Sequence, residues 1–395
     1  VTVAHEPLTE AVLTEGFFAG ELGVDPWEHL AALRSRGPVV RNEVGGWWVV
    51  SHHAPVQEAS VDPTRFCSSK GILVFEIGTE YPSPPTMMHT DPPDHTRYRH
   101  LVAPAFRPSA MRALDPRLAS HVGRLLDAVE LGEPVDVVGA LSVPFPLMVI
   151  CELLGVPWED WERFYLWSEI SIPGATDHTP EERQALQAEM IQYLLAAVRA
   201  KQAQPADDVF SLLAGAGLSE MEVSMFAVQL LAAGNETVRN SLSAGLVALA
   251  EHPGEWQRLR DDRSLVPTAV EEILRWSTPV IYFMRTAVSD TTLGGVDIAA
   301  GDPVVLLYSS ANRDEQVFGP TAGRLDVGRS PNPHVAFGFG THYCIGAALA
   351  RREITAVLGG LLDRVAKLEL AGPVERTRSA IIAGTRRAEL RLVPA

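Results

Sequence analysis

One long apolar helix constrains the whole of this chain. Ser219 and Glu222 form an S-x-x-E capping box, the mark of a helix beginning near residue 220. Apolar residues then recur at helical spacing, at Val223, Phe226, Leu230, Leu231, Val238, Leu242 and Leu246. A helix of about 30 residues is ~45 Å long. It could cross the whole molecule, and the other elements must pack around it. Its middle is unusual. The run AAGNET places Gly234, Glu236 and Thr237 where burial is expected. A glycine there costs about 1 kcal/mol against alanine. A mid-helix threonine can return its hydroxyl to the carbonyl four residues back, here Ala233, and bend the helix. Either these are a tolerated glycine and two satisfied polar groups, or they form a groove with a proton source inside it. Gln229, Ala233 and Thr237 share one face at i, i+4 and i+8, and would line that groove.

Elsewhere the pattern is mixed. PVVRNEVGGWWVVSHH (38–53) reads as a β-hairpin around Gly45-Gly46. Residues 68–93 hold Pro82, Pro84, Pro85, Pro92 and Pro93, which predicts a long irregular segment of the kind that is often functional. Helical patterns dominate from 94 to about 275. Short strands are predicted near 285–288, 294–298 and 303–308, a helix over 345–365, and a last strand at 388–393. The expected fold class is mainly α with small β-sheets towards both ends, forming one domain over 1–395 if those sheets pair.

Composition narrows the function. With 395 residues, 46 % apolar and 21 % charged, the chain has an ordinary soluble composition. A net charge of −16 argues against nucleic-acid binding, which needs cations for phosphates. No apolar run reaches the ~20 residues that span a bilayer. The N-terminal VTVAHEPLTEAV lacks the features of a signal peptide, so no membrane anchor and a cytoplasmic location are expected. Cys67, Cys151 and Cys344 are too few and too scattered for a disulfide framework or a cysteine zinc site.

Cys344 has a distinctive setting. In HVAFGFGTHYCIGAALARREI (334–354) it stands directly before a helix, among Gly338, Gly340 and Gly346. Helix N–H groups and the helix dipole favour a thiolate, and a single loop-borne thiolate suits haem iron. A small buried cysteine in a glycine-rich turn is the plain alternative. The full pattern F-G-x-G-x-H-x-C-x-G, from Phe337 through His342 to Gly346, is too specific for it.

On these residues the chain resembles the cytochrome P450 family of haem-thiolate monooxygenases. The resemblance runs nearly end to end. It includes Glu272 and Arg275 as an E-x-x-R pair, Pro279, ANRD at 311–314, Arg324 in GRLD, and PNPHVAFGFG. Leu325 stands where an aromatic residue is common. The resemblance implies a triangular helical prism around a buried haem b, with Cys344 as the iron ligand and the long central helix beside it. It implies that Glu272, Arg275 and Arg324 form a buried triad supporting the cysteine loop. DPPDHTRYR (91–99) becomes the segment that meets the haem propionates. His95 and Arg99 share a helix face, and Arg285 and His342 arrive from other segments. Buried carboxylates need such partners. In AGNET, Ala233 and Gly234 would leave room for dioxygen, Thr237 would hydrogen-bond it and deliver protons, and Glu236 would link that site to solvent.

No flavin or nucleotide fingerprint is present, so the resemblance implies electrons from an iron–sulfur ferredoxin and its reductase. Arg351 and Arg352, just past Cys344, are candidates for docking it. Members of this kind are commonly monomers. The segments expected at the substrate pocket are apolar: Ile72, Phe75 and Ile77; Met87 and Met88; Val280, Ile281 and Phe283; Ile381 and Ile382. Glu76 and Gln229 are the polar groups expected nearby. Such a pocket suits a bulky lipophile with one or two polar anchors. GNETVRN, YFMRTA and SSANRDEQVFG look like members that oxidise terpenoids, sterols and branched lipids, which favours a steroid, terpenoid or fatty-acyl substrate. A polyketide or other secondary metabolite is the second choice. A peroxide-using enzyme or a haem sensor on the same fold is the alternative to a monooxygenase.

Overall fold

The computed structural model describes residues 27–43, 45–78, 86–170, 178–377, 379 and 381–395. Helix α1 (Trp27–Arg36) leads into β1 (Val39–Asn42) and β2 (Trp47–Val50), which pair as the hairpin read from the sequence. Next come α2 (His53–Val61) and β3 (Phe66–Cys67). Helices then dominate: α3 (Asp94–Val102), α4 (Pro108–Asp127), α5 (Pro144–Leu154), α6 (Trp161–Ile170), α7 (Pro180–Ala203), α8 (Val209–Gly215), α9 (Glu220–Glu251), α10 (Pro253–Asp261) and α11 (Val266–Ser277). A short β4 (Pro134–Asp136) interrupts them. The chain ends with β5 (Tyr282–Ala287), β6 (Thr291–Leu293), β7 (Val296–Ile298), β8 (Pro303–Leu307), α12 (Ala347–Arg364), β9 (Val365–Arg376) and β10 (Thr385–Pro394). The largest sheet has the order β1-β2-β8-β5-β3, so it joins residues 39–67 to residues 282–307. β4, β10 and β9 form a second sheet.

Three strand expectations change. β5 begins at Tyr282, three residues before the predicted start. Residues 294–298 are not one strand. Gly294 and Gly295 both have positive φ, at 56° and 83°, and make the two-residue turn between β6 and β7. β9 was not anticipated. It is an edge strand with few buried side chains, and its pairing with β10 defines it more than any alternation of its own residues.

Helix α9 is 32 residues long, or ~48 Å. Its capping box forms as the sequence predicts. Ser219 Oγ accepts from Glu222 N at 3.2 Å, and the Glu222 carboxylate accepts from Ser219 N at 2.9 Å. Val223, Phe226, Leu231, Val238, Leu242 and Leu246 are buried, in one core with Phe145 and Ile150 of α5, Ile273 of α11 and Leu358 of α12. Two glycines permit close crossings. A Cβ at Gly245 would lie 2.7 Å from Ile273 Cγ2 of α11. A Cβ at Gly234 would overlap Ile150 Cδ1 of α5. Gly234 was expected to leave room in a groove; instead it lets α5 pack close against α9.

The carboxylate of Glu272 organises the segment between β8 and α12. Its two oxygens accept from Arg275 Nε (2.7 Å) and Nη2 (2.8 Å), Arg329 Nε (3.0 Å), Asn332 Nδ2 (3.1 Å) and the backbone N of Asp326 (2.9 Å). Arg275 has every N–H placed. Its remaining donors reach the carbonyls of Asn312, Ala322 and Arg324 at 2.8–3.0 Å. Glu272 and Arg275 are both fully buried. The expected triad is therefore corrected at one position. The second arginine is Arg329. Arg324 contributes only its carbonyl, and its side chain is exposed. Removing one partner of such a buried pair leaves an unpaired charge. Glu272→Ala should lower the unfolding free energy by about 3–5 kcal/mol in urea titration. A loss under about 1 kcal/mol would show that the hub does not hold this segment.

Candidate functional site

The middle of α9 has two unlike faces. Ala233 is exposed although its neighbours Asn235, Glu236 and Val238 are buried. Gln229 and Thr237, one turn to either side on the same face, are half-buried. An exposed alanine in the middle of a core helix means that this face borders open space. Thr237 Oγ1 donates to Ala233 O at 2.7 Å, as the sequence suggests.

Glu236 points elsewhere. It is buried, and its carboxylate accepts from Arg239 Nη1 and Asn235 Nδ2, both at 3.2 Å, and more weakly from Asn240 Nδ2 at 3.4 Å. Arg239 Nη1 also reaches Glu169 of α6 at 2.8 Å. Burial pushes the Glu236 carboxyl pKa up; Arg239 opposes this and Glu169 adds to it. The expected link to solvent is thus not direct. One chain of contacts from Glu236 runs through Arg239 to Glu169.

The loop before α12 is shaped by close contact. Gly340 has φ of 65°, and a Cβ there would overlap the carbonyl oxygen of Ser60 at the end of α2. The backbone N of Cys344 donates to Phe337 O at 2.9 Å. Cys344 lies deep but remains half-buried as a residue. Burial raises its thiol pKa, and the N–H groups of Gly346 and Ala347 with the charges of Arg99 and Arg351 only partly offset this. The helix start alone therefore does not offset burial, and a bound cation would favour the thiolate. Among the described residues, no group of three His, Cys, Asp or Glu side chains converges as a metal site. A single sulfur ligand suits an iron whose other ligands come from a porphyrin.

Behind this loop lies a polar lock. Ala336 N donates to His334 Nδ1 at 3.2 Å, which leaves Nε2–H to donate to Glu271 at 3.0 Å. Arg351 makes two bonds to Glu271, at 2.7 and 2.9 Å, and lies 4.6 Å from the Phe337 ring. Arg352 is paired with Asp115 of α4 at 2.5 Å. Both docking candidates are therefore already engaged in ion pairs within the chain.

Three segments bring the expected carboxylate-binding residues together. The rings of His95 and His342 are 4.3 Å apart. Burial, Arg285, His95 and Arg99 together drive the pKa of His342 down to about 2. His95 Nδ1 is buried without a hydrogen-bond partner. This crowd of donors and positive charge fits a group bearing carboxylates. The sequence did not single out the residues that position it. Ser68 Oγ contacts His342 Nε2 at 3.1 Å, and Asp91 accepts from Ser68 N at 2.8 Å. Buried Tyr308 has its hydroxyl against Arg285 and Ser60. Tyr308 carried no signal in the sequence because it reads as the end of a strand.

The expected pocket residues divide. Ile281 N donates to Ile381 O at 2.8 Å, and Val280 bridges to Ile382, so these two segments do meet. Phe75 is exposed; Ile77, Met87, Met88, Val280, Phe283, Ile381 and Ile382 are half-buried. Ile72 and Ile281 are at most 5 % exposed. They are core residues and cannot line an open hollow. Glu76 was expected as a polar anchor, but it is buried and closes its own turn. It accepts from Ile72 N (2.8 Å) and Leu73 N (3.1 Å) and contacts His89 Nε2 (3.2 Å).

Comparisons with known proteins agree with this geometry. The family model for Cytochrome P450 matches residues 175–365. Linalool 8-monooxygenase of Pseudomonas putida is 35 % identical over 391 residues, covering 93 % of this chain and 96 % of that one. Steroid C26-monooxygenase of Mycolicibacterium smegmatis is 35 % identical over 385 residues, covering 91 % and 88 %. A Bacillus megaterium member solved in complex with corticosterone superposes with a TM-score of 0.83 at 33 % identity, covering 96 % of this chain and all of that one.

The polar lock has a pH signature. Burial alone would raise the Glu271 pKa, but His334 and Arg351 hold it at about 2. A carboxyl depressed in the folded state stabilises above its unfolded value and loses that contribution as pH falls towards the folded value. The unfolding free energy of the natural chain minus that of Glu271→Gln should be of order 2–3 kcal/mol above pH ~5 and shrink towards zero near pH ~2. A pH-independent difference would show that the pair is not coupled to folding.

Proposed function

The chain belongs to the cytochrome P450 family of haem-thiolate monooxygenases, and from that premise we propose which of its residues run the reaction, and on what. Bound haem supplies the oxygen chemistry: dioxygen, two electrons, two protons and a substrate C–H give a hydroxyl group and water. Cys344 is the proposed iron ligand, in the turn formed by Phe337, Gly338 and Gly346. His95, Arg99, Arg285 and His342 are proposed to bind the two carboxylates. One observation carries this orientation: His342 lies two residues before Cys344, and its ring is 4.3 Å from that of His95. The two fixed points that a haem needs are therefore side by side.

The chain's own contribution is space and protons. Ala233 keeps the open face of α9 small. Thr237 lies on the same face, and its hydroxyl can turn from Ala233 O to hold a proton at the reacting oxygen. Glu236 stands directly before it in the chain and supplies the next proton-holding group. General acid catalysis of this kind contributes about 10²–10⁴-fold.

The proposed substrate is a bulky lipophile of the steroid, terpenoid or fatty-acyl class. Half-buried Met87, Met88, Val280, Phe283, Ile381 and Ile382 support an apolar lining, and relatives named for linalool and for steroids point the same way. Electrons are proposed to come from a ferredoxin and its reductase. With Arg351 and Arg352 already paired, docking near Cys344 would use Phe339 and Tyr343, which are exposed on the same loop.

Titrating the ferric protein with a steroid, a monoterpenoid and a fatty acid tests the substrate reading. A saturable low-spin to high-spin shift with one class is expected. A haem band unmoved by all three would redirect the search to secondary metabolites. Thr237→Ala should keep consuming reductant while product per reductant falls at least about tenfold and peroxide rises. Unchanged coupling would remove Thr237 from proton delivery.

A further inference from the structure

Two buried arginines in this molecule are treated differently. Every N–H of Arg275 has a partner. Arg239 is also buried, yet its Nε is left without one. Its Nη1 is shared between two carboxyls, Glu169 at 2.8 Å and Glu236 at 3.2 Å, and the guanidinium lies 5.8 Å from the Tyr165 ring. A second arm joins the same elements: Asn235 Nδ2 donates to Ser168 Oγ at 2.9 Å and to Glu236 at 3.2 Å. The last turn of α6 thus reaches Glu236 by two routes.

We propose that Glu169 is a positioning residue for Glu236: the two carboxyls share the single guanidinium of Arg239, and the contact from α6 sets how much of that charge is left for Glu236. This rests on the role given to Glu236 above. If both carboxyls ionise, two negative charges face one positive charge in a poorly solvated place, and one negative charge goes uncompensated. A proton on one carboxyl relieves that charge. It favours Glu236, whose side chain is 8 % exposed against 14 % for Glu169. Among the described residues, the titratable groups facing Glu236 are Arg239 on its own helix and Glu169 and Tyr165 on α6. Titration belongs to this coupled set, and a change at Glu169 must appear at Glu236. A shift of α6 would alter how readily Glu236 gives up its proton.

Infrared pH titration of the ferric protein tests this without turnover. Glu236→Gln identifies the carbonyl stretch of the buried carboxylic acid. Glu169→Gln should move the midpoint of that band to lower pH by about one unit or more, because a like charge is removed and Arg239 turns wholly to Glu236. Arg239→Met should move it to higher pH. Opposite signs from two substitutions in one cluster are not produced by general loosening. Should Arg239→Met fail to fold, Glu169→Gln alone decides. Product per reductant in Glu169→Gln should fall at neutral pH and recover on acidification with the same displacement. An unmoved midpoint in Glu169→Gln, or no band that Glu236→Gln removes, would overturn the inference. The ferrous carbon monoxide spectrum of the same samples separates the two readings. A thiolate-type band with an immobile midpoint sinks only the role of Glu169. A natural chain lacking that band sinks the monooxygenase reading and leaves the carboxyl coupling measured.

Discussion

The carboxylate of Glu272 is the constraint on which the rest depends. It lies in the dry core and accepts hydrogen bonds from two arginines, an asparagine and a backbone amide. Taking charges out of water costs several kcal/mol per ion, which is recovered only when geometry is good and every donor is met. Here the donors are met, and they come from residues 275, 326, 329 and 332. Arg275 in turn binds the carbonyls of residues 312, 322 and 324. An irregular coil with little apolar content of its own is thereby given one path. That path leads directly into the loop carrying Cys344.

The same arithmetic explains why the functional groups are less settled. Cys344 gains from helix N–H groups and from Arg99, yet burial still favours the thiol. His342 is held neutral by burial and by four charged or basic neighbours. Each is costly in isolation and natural once iron and two carboxylates are present. His95 Nδ1 and Arg239 Nε at the proposed site lack hydrogen-bond partners, as do buried atoms elsewhere such as His121 Nδ1 and Glu353 Oε1, whereas the Glu271 lock behind the loop is paired.

Much of this was legible in the residues. The capping box, the apolar period of α9, the return bond from Thr237 to Ala233 and the glycine-rich setting of Cys344 are local features, and local features survive folding. The misreadings share a cause. Arg324 and Arg329 are five residues apart in a coil, and only the coil's path decides which side chain turns inward. Gly234 lies beside Ala233 on a helix about 100° further round, enough to give one a hollow and the other Ile150. The ion pairs of Arg351 and Arg352 were not legible because Glu271 and Asp115 are 80 and 237 residues away in the chain. Glu76 read as an anchor, because a carboxylate that closes its own turn carries no distinctive spacing.

The sequence by itself determined the kind of molecule. Period, caps and the cysteine pattern dictate a long core helix, a mainly helical body and a cysteine-presenting turn, because these follow from interactions within a few residues. Tertiary structure alone decided which charges are available. Glu236, Glu169 and Arg239 belong to two helices, and only their packing puts two carboxyls on one guanidinium. A charge's strength depends on burial and on what stands within a few ångströms, and those are properties of the folded chain.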